Sequence, residues 1–433
     1  MEKRYYPGLD ETVFTTVLPN GLPILVVPKP GFTRKLCYFA TDFGAIHNHF
    51  VLEGRTVDAP DGVAHVLEHK LFDMPGGRDV TAEFAALGAV PNAFTSHDMT
   101  AYYFSCTEHF EECLDLLLEY VSTPYFTQET VDKEQGIIGQ EIGMDLDSPE
   151  SRVFQNLMLA MYRNHPVHTD VLGTVESIAR ITPQTLYDCH RAFYQPGNML
   201  LCVVGDVDAE AVEAAARRIL GDEPGPKVEQ ERTWEEEMTC PQALVKLGME
   251  VAMPMFQIGF KAEPLGKGVE AVRREIVGDL AAEALFGESS ELYLRLYEEG
   301  IIDSSFGGGF ETVDGMAMLT ASGDSEDPEA LRDAILAQAA VIAREGIEEA
   351  DFLRMKRSAL GRRIRDLDSF SGTCFRLCAY HFSDYAYFDF PELYRGITVE
   401  DIREFITRVV TPARCALSVV EPLEYEEDDY ESQ

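Results

Sequence analysis

The sequence predicts an α+β fold built from two tandem, similar halves, each an antiparallel sheet faced by helices. Three observations predict it. The first is an internal repeat: Thr182, Leu186, Phe193, Tyr194, Pro196, Val203 and Val204 are matched, always 216 positions later, by Thr398, Ile402, Val409, Val410, Pro412, Val419 and Val420. Each copy reads as a helix, a Pro turn and a buried strand. The second is that strand-like segments with turn signals interleave with apolar stripes at helical spacing. The third is size: 433 residues, 45% of them hydrophobic and 10% aromatic, exceed a single ordinary core.

Taken in order, Val13 to Val17 and Ile24 to Val27 read as strands of a hairpin around Pro19-Asn20-Gly21, because Asn-Gly accepts the left-handed turn conformation. Leu36 to Ala45 reads as a third strand. A helix follows through the run Val63, Ala64, Val66, Leu67, Leu71 and Phe72, then a short one from Thr81 to Leu87 that Gly88 can cap. Ala93 to Thr95 and Ala101 to Cys106 are strands joined by Ser96-His97-Asp98. Glu108 to Val121 is an amphipathic helix with Phe110, Cys113, Leu114, Leu117 and Leu118 on one stripe. A helix begins at Thr127 and runs to about Met144, with Ile137, Ile138 and Ile142 as its packing residues. Another spans Glu150 to Tyr162. The run 221–242, with Pro224, Pro226 and Glu235-Glu236-Glu237, reads as the linker between a half at 1–220 and a half at 243–433. The acidic stretch Glu421 to Gln433 reads as a frayed tail.

Charge and cysteines bound the partners. The 36 basic residues face 75 acidic ones, a formal charge of −39. Such a field disfavours nucleic acid and anionic membrane surfaces. It favours basic peptides, although plain solubility explains it as well. Nine cysteines without C-x-x-C spacing fit reduced thiols in a cytosol. Cys374 and Cys378, four apart with no cluster around them, read as core. The start Met1-Glu-Lys-Arg-Tyr-Tyr-Pro7 lacks the apolar segment of a signal peptide, and no apolar run is long enough to cross a membrane. The expectation is a cytoplasmic protein.

The chemistry sits at His65-Val-Leu-Glu68-His69, an H-x-x-E-H pattern inside an apolar run. On a helix, His65 and His69 lie at i and i+4 and Glu68 shares their face. Two neutral imidazoles on one turn suit a tetrahedral metal, most often zinc. A neighbouring carboxylate is placed to take a proton from metal-bound water, the inverted form of the H-E-x-x-H pattern. The plain alternative is a surface helix with two chance histidines. With only ten histidines in the chain, and these within an apolar stretch, the metal reading is preferred. A third ligand is needed. Glu134 and Glu141 lie seven apart, two turns up one helical face; one can ligate and the other can orient a histidine. The repeat does not copy the motif: 216 positions later stand Ala281, Ala284 and Leu285. One half carries chemistry and the other does not.

Over essentially its whole length the chain resembles the insulinase and pitrilysin superfamily, which includes the mitochondrial processing peptidase. H-x-x-E-H is followed in that family by E-x-x-x-x-x-x-E, and His65, Glu68, His69, Glu134 and Glu141 stand in those places. The resemblance implies that His65, His69 and Glu141 bind one Zn2+, that Glu68 is the general base and that Glu134 supports the site. Asn92-Ala93-Phe94-Thr95 is similar to the family's N-A-x-T segment, the edge strand to which peptide substrate adds as a β-strand. Tyr194-Gln-Pro-Gly-Asn198 and Val203-Val204-Gly205-Asp206 are similar to its Y-x-P-x-N and V-V-G-D segments. The implied activity is zinc-dependent endopeptidase hydrolysis of short or extended peptides enclosed in a chamber.

The chain departs from the family at Leu296-Tyr297-Glu298-Glu299-Gly300-Ile301-Ile302-Asp303. Many members have L-R-E-K-x-G-L-A-Y there, whose Arg and Tyr reach the substrate. Tyr297 takes the Arg position, and Asp303 takes the Tyr position with one residue deleted. Among the branches, the chain most resembles the catalytic member of bacterial pairs associated with 5-aminopentanol modification of elongation factor P, in which a second insulinase-like chain lacks the zinc motif. The resemblance therefore implies a heterodimer with such a chain, or a homodimer. A narrow maturation protease and a non-catalytic subunit are the rival readings; the intact motif argues against the second.

Overall fold

A computed structural model describes residues 1–230 and 234–423; part of the predicted linker (231–233) and most of the predicted acidic tail (424–433) lie outside the described residues. Among the described residues there are fifteen strands: β1 (Glu2–Tyr6), β2 (Glu11–Val17), β3 (Pro23–Pro28), β4 (Lys35–Thr41), β5 (His49–Leu52), β6 (Arg55–Asp58), β7 (Val90–Thr95), β8 (Thr100–Cys106), β9 (Met199–Gly205), β10 (Val228–Gln230), β11 (Leu244–Met249), β12 (Met255–Ala262), β13 (Gly307–Val313), β14 (Met316–Asp324) and β15 (Cys415–Pro422). They form a seven-stranded sheet in the order β1-β2-β3-β9-β4-β8-β7, a three-stranded sheet β10-β5-β6 and a five-stranded sheet β11-β15-β12-β14-β13. The fold is α+β, and the two large sheets share one plan. β3, β9, β4, β8 and β7 correspond to β11, β15, β12, β14 and β13, with one parallel pairing in each set, β3 with β9 and β11 with β15.

The repeat read from sequence is a structural repeat. The helix Pro183–Phe193, a Pro turn at Pro196–Asn198 and β9 recur as the helix Val399–Val409, a Pro turn at Pro412–Arg414 and β15. Thr182 and Thr398 each cap their helix through a side-chain oxygen and a capping box. The Asn-Gly hairpin is also present, with Gly21 at φ 93° and Asn20 Oδ1 accepting from Leu22 N–H at 3.0 Å. The third strand is shorter than expected and stops at Thr41, where Asp42 N–H turns to the carbonyl of Asn198.

Each of the two large sheets is covered on one face by its own half and on the other by a helix of the opposite half. Along β4, β8 and β9 the side chains alternate. Cys37, Phe39, Tyr102, Phe104, Leu201 and Val203 pack against the helices Val63–Lys70 and Phe110–Ser122. Leu36, Tyr38, Ala40, Ala101, Leu200, Cys202 and Val204 face the helix Phe370–Phe382 of the second half, joining Cys374, Leu377 and Cys378. In return the helix Pro149–Met161 lies on β11, β12 and β15, where Leu157, Met158 and Met161 meet Met316, Met318 and Ala416. Gly259 on β12 makes this approach possible, since a Cβ there would meet Met161 Sδ at 2.2 Å. The segment 221–242 contributes β10, which pairs with β5. Its Glu236 accepts from the N–H groups of Arg163, Asn164 and His165 and from the buried Lys261 Nζ at 3.3 Å. Among the described residues, no helix is long and apolar enough to cross a membrane.

Candidate metal centre

The helix Val63–Lys70 begins at Gly62, whose φ of 87° and close approach to Leu172 O exclude a side chain. Its apolar face, Val63, Ala64, Val66 and Leu67, is fully buried in the first core. The opposite face presents His65 and His69 to the long helix Gln128–Leu146 and Glu68 to Thr95 of β7. Thr127 caps that helix with a capping box, and Val131, Ile138 and Ile142 anchor it. Ile137, expected among the packing residues, instead points to solvent at 46% exposure; it lies on the flank of the stripe that Ile138 and Ile142 define. Gln135 Nε2 holds the helix to the carbonyls of Ile178 and Ile181 at 2.8 and 2.9 Å.

Lys70 was not singled out by sequence reasoning. It is fully buried, and its Nζ donates to Thr130 O at 3.2 Å and to Asp73, tying the two helices together one turn before Glu134. The available signal was a lysine inside an otherwise apolar run, a position that demands a partner.

His65, His69 and Glu141 each offer one ligand atom, and these atoms lie within 4.8 Å of one another. His65 Nε2 is 3.8 Å from Glu141 Oε1, and His69 Nε2 is 3.8 Å from Glu141 Oε2. Ligand bonds of about 2.0–2.1 Å to a tetrahedral ion put neighbouring ligand atoms roughly 3.4 Å apart, so the two 3.8 Å spacings are a few tenths of an ångström wider than a bound ion would hold them. The chemistry of the set fits such an ion. Burial, and then the neighbouring His69, push His65 down to about 4, so its imidazole is neutral at ordinary pH. Its Nδ1 is buried without a hydrogen-bond partner. Among the described residues this is the one such cluster of three or more His, Cys, Asp or Glu.

Glu134 does not join the set; its Oε1 meets His69 Nδ1 at 3.0 Å. That hydrogen bond is the main cause of a raised His69 and a lowered Glu134. It fixes the tautomer with Nδ1 protonated and leaves Nε2 to point at Glu141. Glu68 is 8% exposed, and burial raises its carboxyl above the usual range. Asn92, Ala93, Phe94 and Thr95 all lie on β7, the outer edge of the seven-stranded sheet. Asn92 is exposed and its Oδ1 accepts from Ala93 N–H at 2.9 Å. The Thr95 hydroxyl donates to Glu68 Oε2 at 2.6 Å, a contact the sequence did not signal. Ala281, Ala284 and Leu285 sit in the helix Val269–Phe286, so among the described residues the second half carries no counterpart of the cluster. Tyr297 is 53% exposed and stacks on Tyr293.

Comparison with known proteins agrees with this architecture. The family described as Insulinase (Peptidase family M16) matches residues 50–175, and the family described as Peptidase M16 inactive domain matches residues 180–359. An uncharacterized zinc protease of Bacillus subtilis, YmfH, is 38% identical over 427 residues, covering 96% of this chain and 98% of that protein. The mitochondrial-processing peptidase subunit beta of Caenorhabditis elegans is 27% identical over 49% of this chain and 45% of its own. The crystal structure of an M16-like peptidase from Alicyclobacillus acidocaldarius superposes with a TM-score of 0.92 at 30% identity, over 97% of this chain and 100% of that one. The periplasmic protease PqqL of Escherichia coli shares the fold, with a TM-score of 0.72 at 20% identity over 94% of this chain and 47% of that chain. A His-His-Glu cluster that could hold a metal on one half, none on the other among the described residues, and 38% identity over nearly the full length of a relative named a zinc protease agree, and the chain belongs to the insulinase family of peptidases, M16.

Proposed function

We propose that the protein is a zinc-dependent endopeptidase acting on short or extended peptides, and that it forms one side of a two-chain chamber. The carrying observation is the convergence of His65, His69 and Glu141, with Glu68 on the same helical face. Two nitrogens and a carboxylate oxygen suit zinc. Bound there, zinc supplies a Lewis acid that polarises a carbonyl and lowers the pKa of water toward ~7.

The remaining work falls to the chain's own groups. Glu134 orients His69. Glu68 takes a proton from the attacking water and hands it to the leaving amine; its burial suits a base that must also act as an acid. The open edge of β7 at Asn92–Thr95 aligns the peptide backbone by strand addition. In this reading residues 1–220 are the catalytic half, 221–242 the linker and 243–433 the non-catalytic half. Nine free thiols, eight of them buried, support a cytoplasmic setting.

The partner is an insulinase-like chain without the zinc motif that supplies the Arg and Tyr missing at Tyr297 and Asp303. A homodimer would close a chamber without restoring that pair. Donors aimed at the developing oxyanion are worth ~3 kcal/mol each, so this chain alone is expected to be slow.

The test is Glu68→Gln in protein with and without the partner. Zinc remains at about one per chain while hydrolysis falls ~100- to 10,000-fold. Wild-type turnover in that variant, or freshly purified protein without zinc, defeats the proposal. Full activity alone, unchanged by the partner, defeats the two-chain part only.

A further inference from the structure

We infer that Thr95 is a positioning residue for the general base, fixing which oxygen of Glu68 takes the proton; this rests on the peptidase reading above. The Thr95 hydroxyl has a single hydrogen, and at 2.6 Å from Glu68 Oε2 it donates to that oxygen. Glu68 Oε1 has no protein donor among the described residues. One oxygen of the base is therefore tethered, and the other is left to act.

The tether is itself held. Thr95 is the last residue of β7 and pairs with Thr100 of β8. The Thr100 hydroxyl, fully buried, donates to Phe43 O at 2.9 Å and lies 3.5 Å from the Thr95 hydroxyl. As a β-branched residue in a strand, Thr95 has few χ1 positions to choose from. Its side chain thus points at the base, while the backbone of the same strand offers the edge on which the peptide would lie. Strand addition at β7 and alignment of Glu68 then share one residue. A peptide that settles the edge strand also settles the base. This gives Thr95 a different task from Asn92, Ala93 and Phe94, whose side chains make no hydrogen bond to Glu68 among the described residues.

Thr95→Val keeps the branched shape and removes the donor; Thr95→Ser keeps the donor and removes the methyl. For Thr95→Val, kcat is expected to fall about ten- to a hundred-fold, the loss of one hydrogen bond to a charged group, with KM within about twofold. Zinc content and melting temperature stay at wild-type values. Thr95→Ser recovers kcat to within about threefold of wild type. A peptide binds Glu68→Gln and the double variant Glu68→Gln/Thr95→Val with equal affinity. A raised KM with unchanged kcat, or weaker peptide binding by the double variant, overturns the assignment and makes Thr95 a strand contact. Loss of zinc or of folding in Thr95→Val without recovery in Thr95→Ser overturns it in favour of a packing role. Wild-type protein that cleaves peptide beside an equally active Thr95→Val overturns the Thr95 assignment alone. Wild-type protein that cleaves nothing even with the partner present overturns the peptidase reading and this inference with it.

Discussion

Replacing Glu134 by Gln tests the proposed zinc centre without touching a proposed ligand. The carboxylate accepts from His69 Nδ1 at 3.0 Å, and the two side chains are only 15% and 28% exposed. A hydrogen bond to a charged group contributes about 1.5–3 kcal/mol and a neutral one about 1. Gln keeps an acceptor and loses the charge, so about 1–1.5 kcal/mol of ligand orientation and basicity disappears. At 1.4 kcal/mol per decade this is roughly a tenfold weaker zinc affinity, and Glu134→Ala should reach ten- to a hundred-fold. The loss has a pH signature. Glu134 raises the pKa of His69, so protons compete with the metal more strongly in the wild type. As pH falls, the wild type gives up more of its affinity than the variant, and the gap between them narrows. Competition against a chelator of known affinity between pH 6 and 8, with circular dichroism to check the fold, measures both effects. Zinc affinities of Glu134→Gln and Glu134→Ala equal to wild type across that range would refute the assigned role.

Lys70→Met leaves Thr130 O without its buried ammonium partner and lets the Glu134 helix drift from the His65 helix. A loss of about 2 kcal/mol in denaturant unfolding and weaker zinc binding are expected, and unchanged stability would remove Lys70 from the support of the centre. Gly259→Val drives a side chain into Met161 and should cost about 1–3 kcal/mol by overpacking; an unaltered melting temperature would show that the helix Pro149–Met161 is loosely seated. Asp279 is raised to about 7, chiefly by burial and then by Glu275. The folded state therefore holds a proton that the unfolded chain has released, and stability falls as pH rises from about 4 through about 7. Asp279→Asn should raise the melting temperature at pH 8 and leave it unchanged at pH 4; an equal shift at both pH values would rule out titration as the cause.

Much of the fold and of the candidate centre's arrangement was legible because local rules determine them. Helical spacing put His65 over His69 and Glu134 over Glu141, and turn chemistry gave the hairpin at Asn20-Gly21. The repeat gave the matching helices at Pro183–Phe193 and Val399–Val409. β1, β5 and β6 were missed because five- and four-residue strands with mostly exposed or mixed side chains carry little alternation. The crossing of the helices Pro149–Met161 and Phe370–Phe382 onto opposite sheets was not legible either. A pattern shows which face of a strand is apolar, never which distant element covers it. Lys70 and the Thr95 hydroxyl were passed over for the same reason, since their partners Thr130 and Glu68 lie 60 and 27 positions away.

The exchanged helices also set a timetable for synthesis. The last strand of the first sheet, β9, ends at Gly205, but the helix that covers its second face begins only at Phe370, about 165 residues later. At ~5–20 residues per second, a ribosome needs roughly 8–30 s to deliver it. Through that interval Leu36, Tyr38, Leu200, Cys202 and Val204 stand uncovered on a nascent sheet. The nascent chain therefore exposes the kind of apolar surface that chaperones shield. Truncation anywhere before Phe382 should yield a fragment that aggregates rather than one with a working first half.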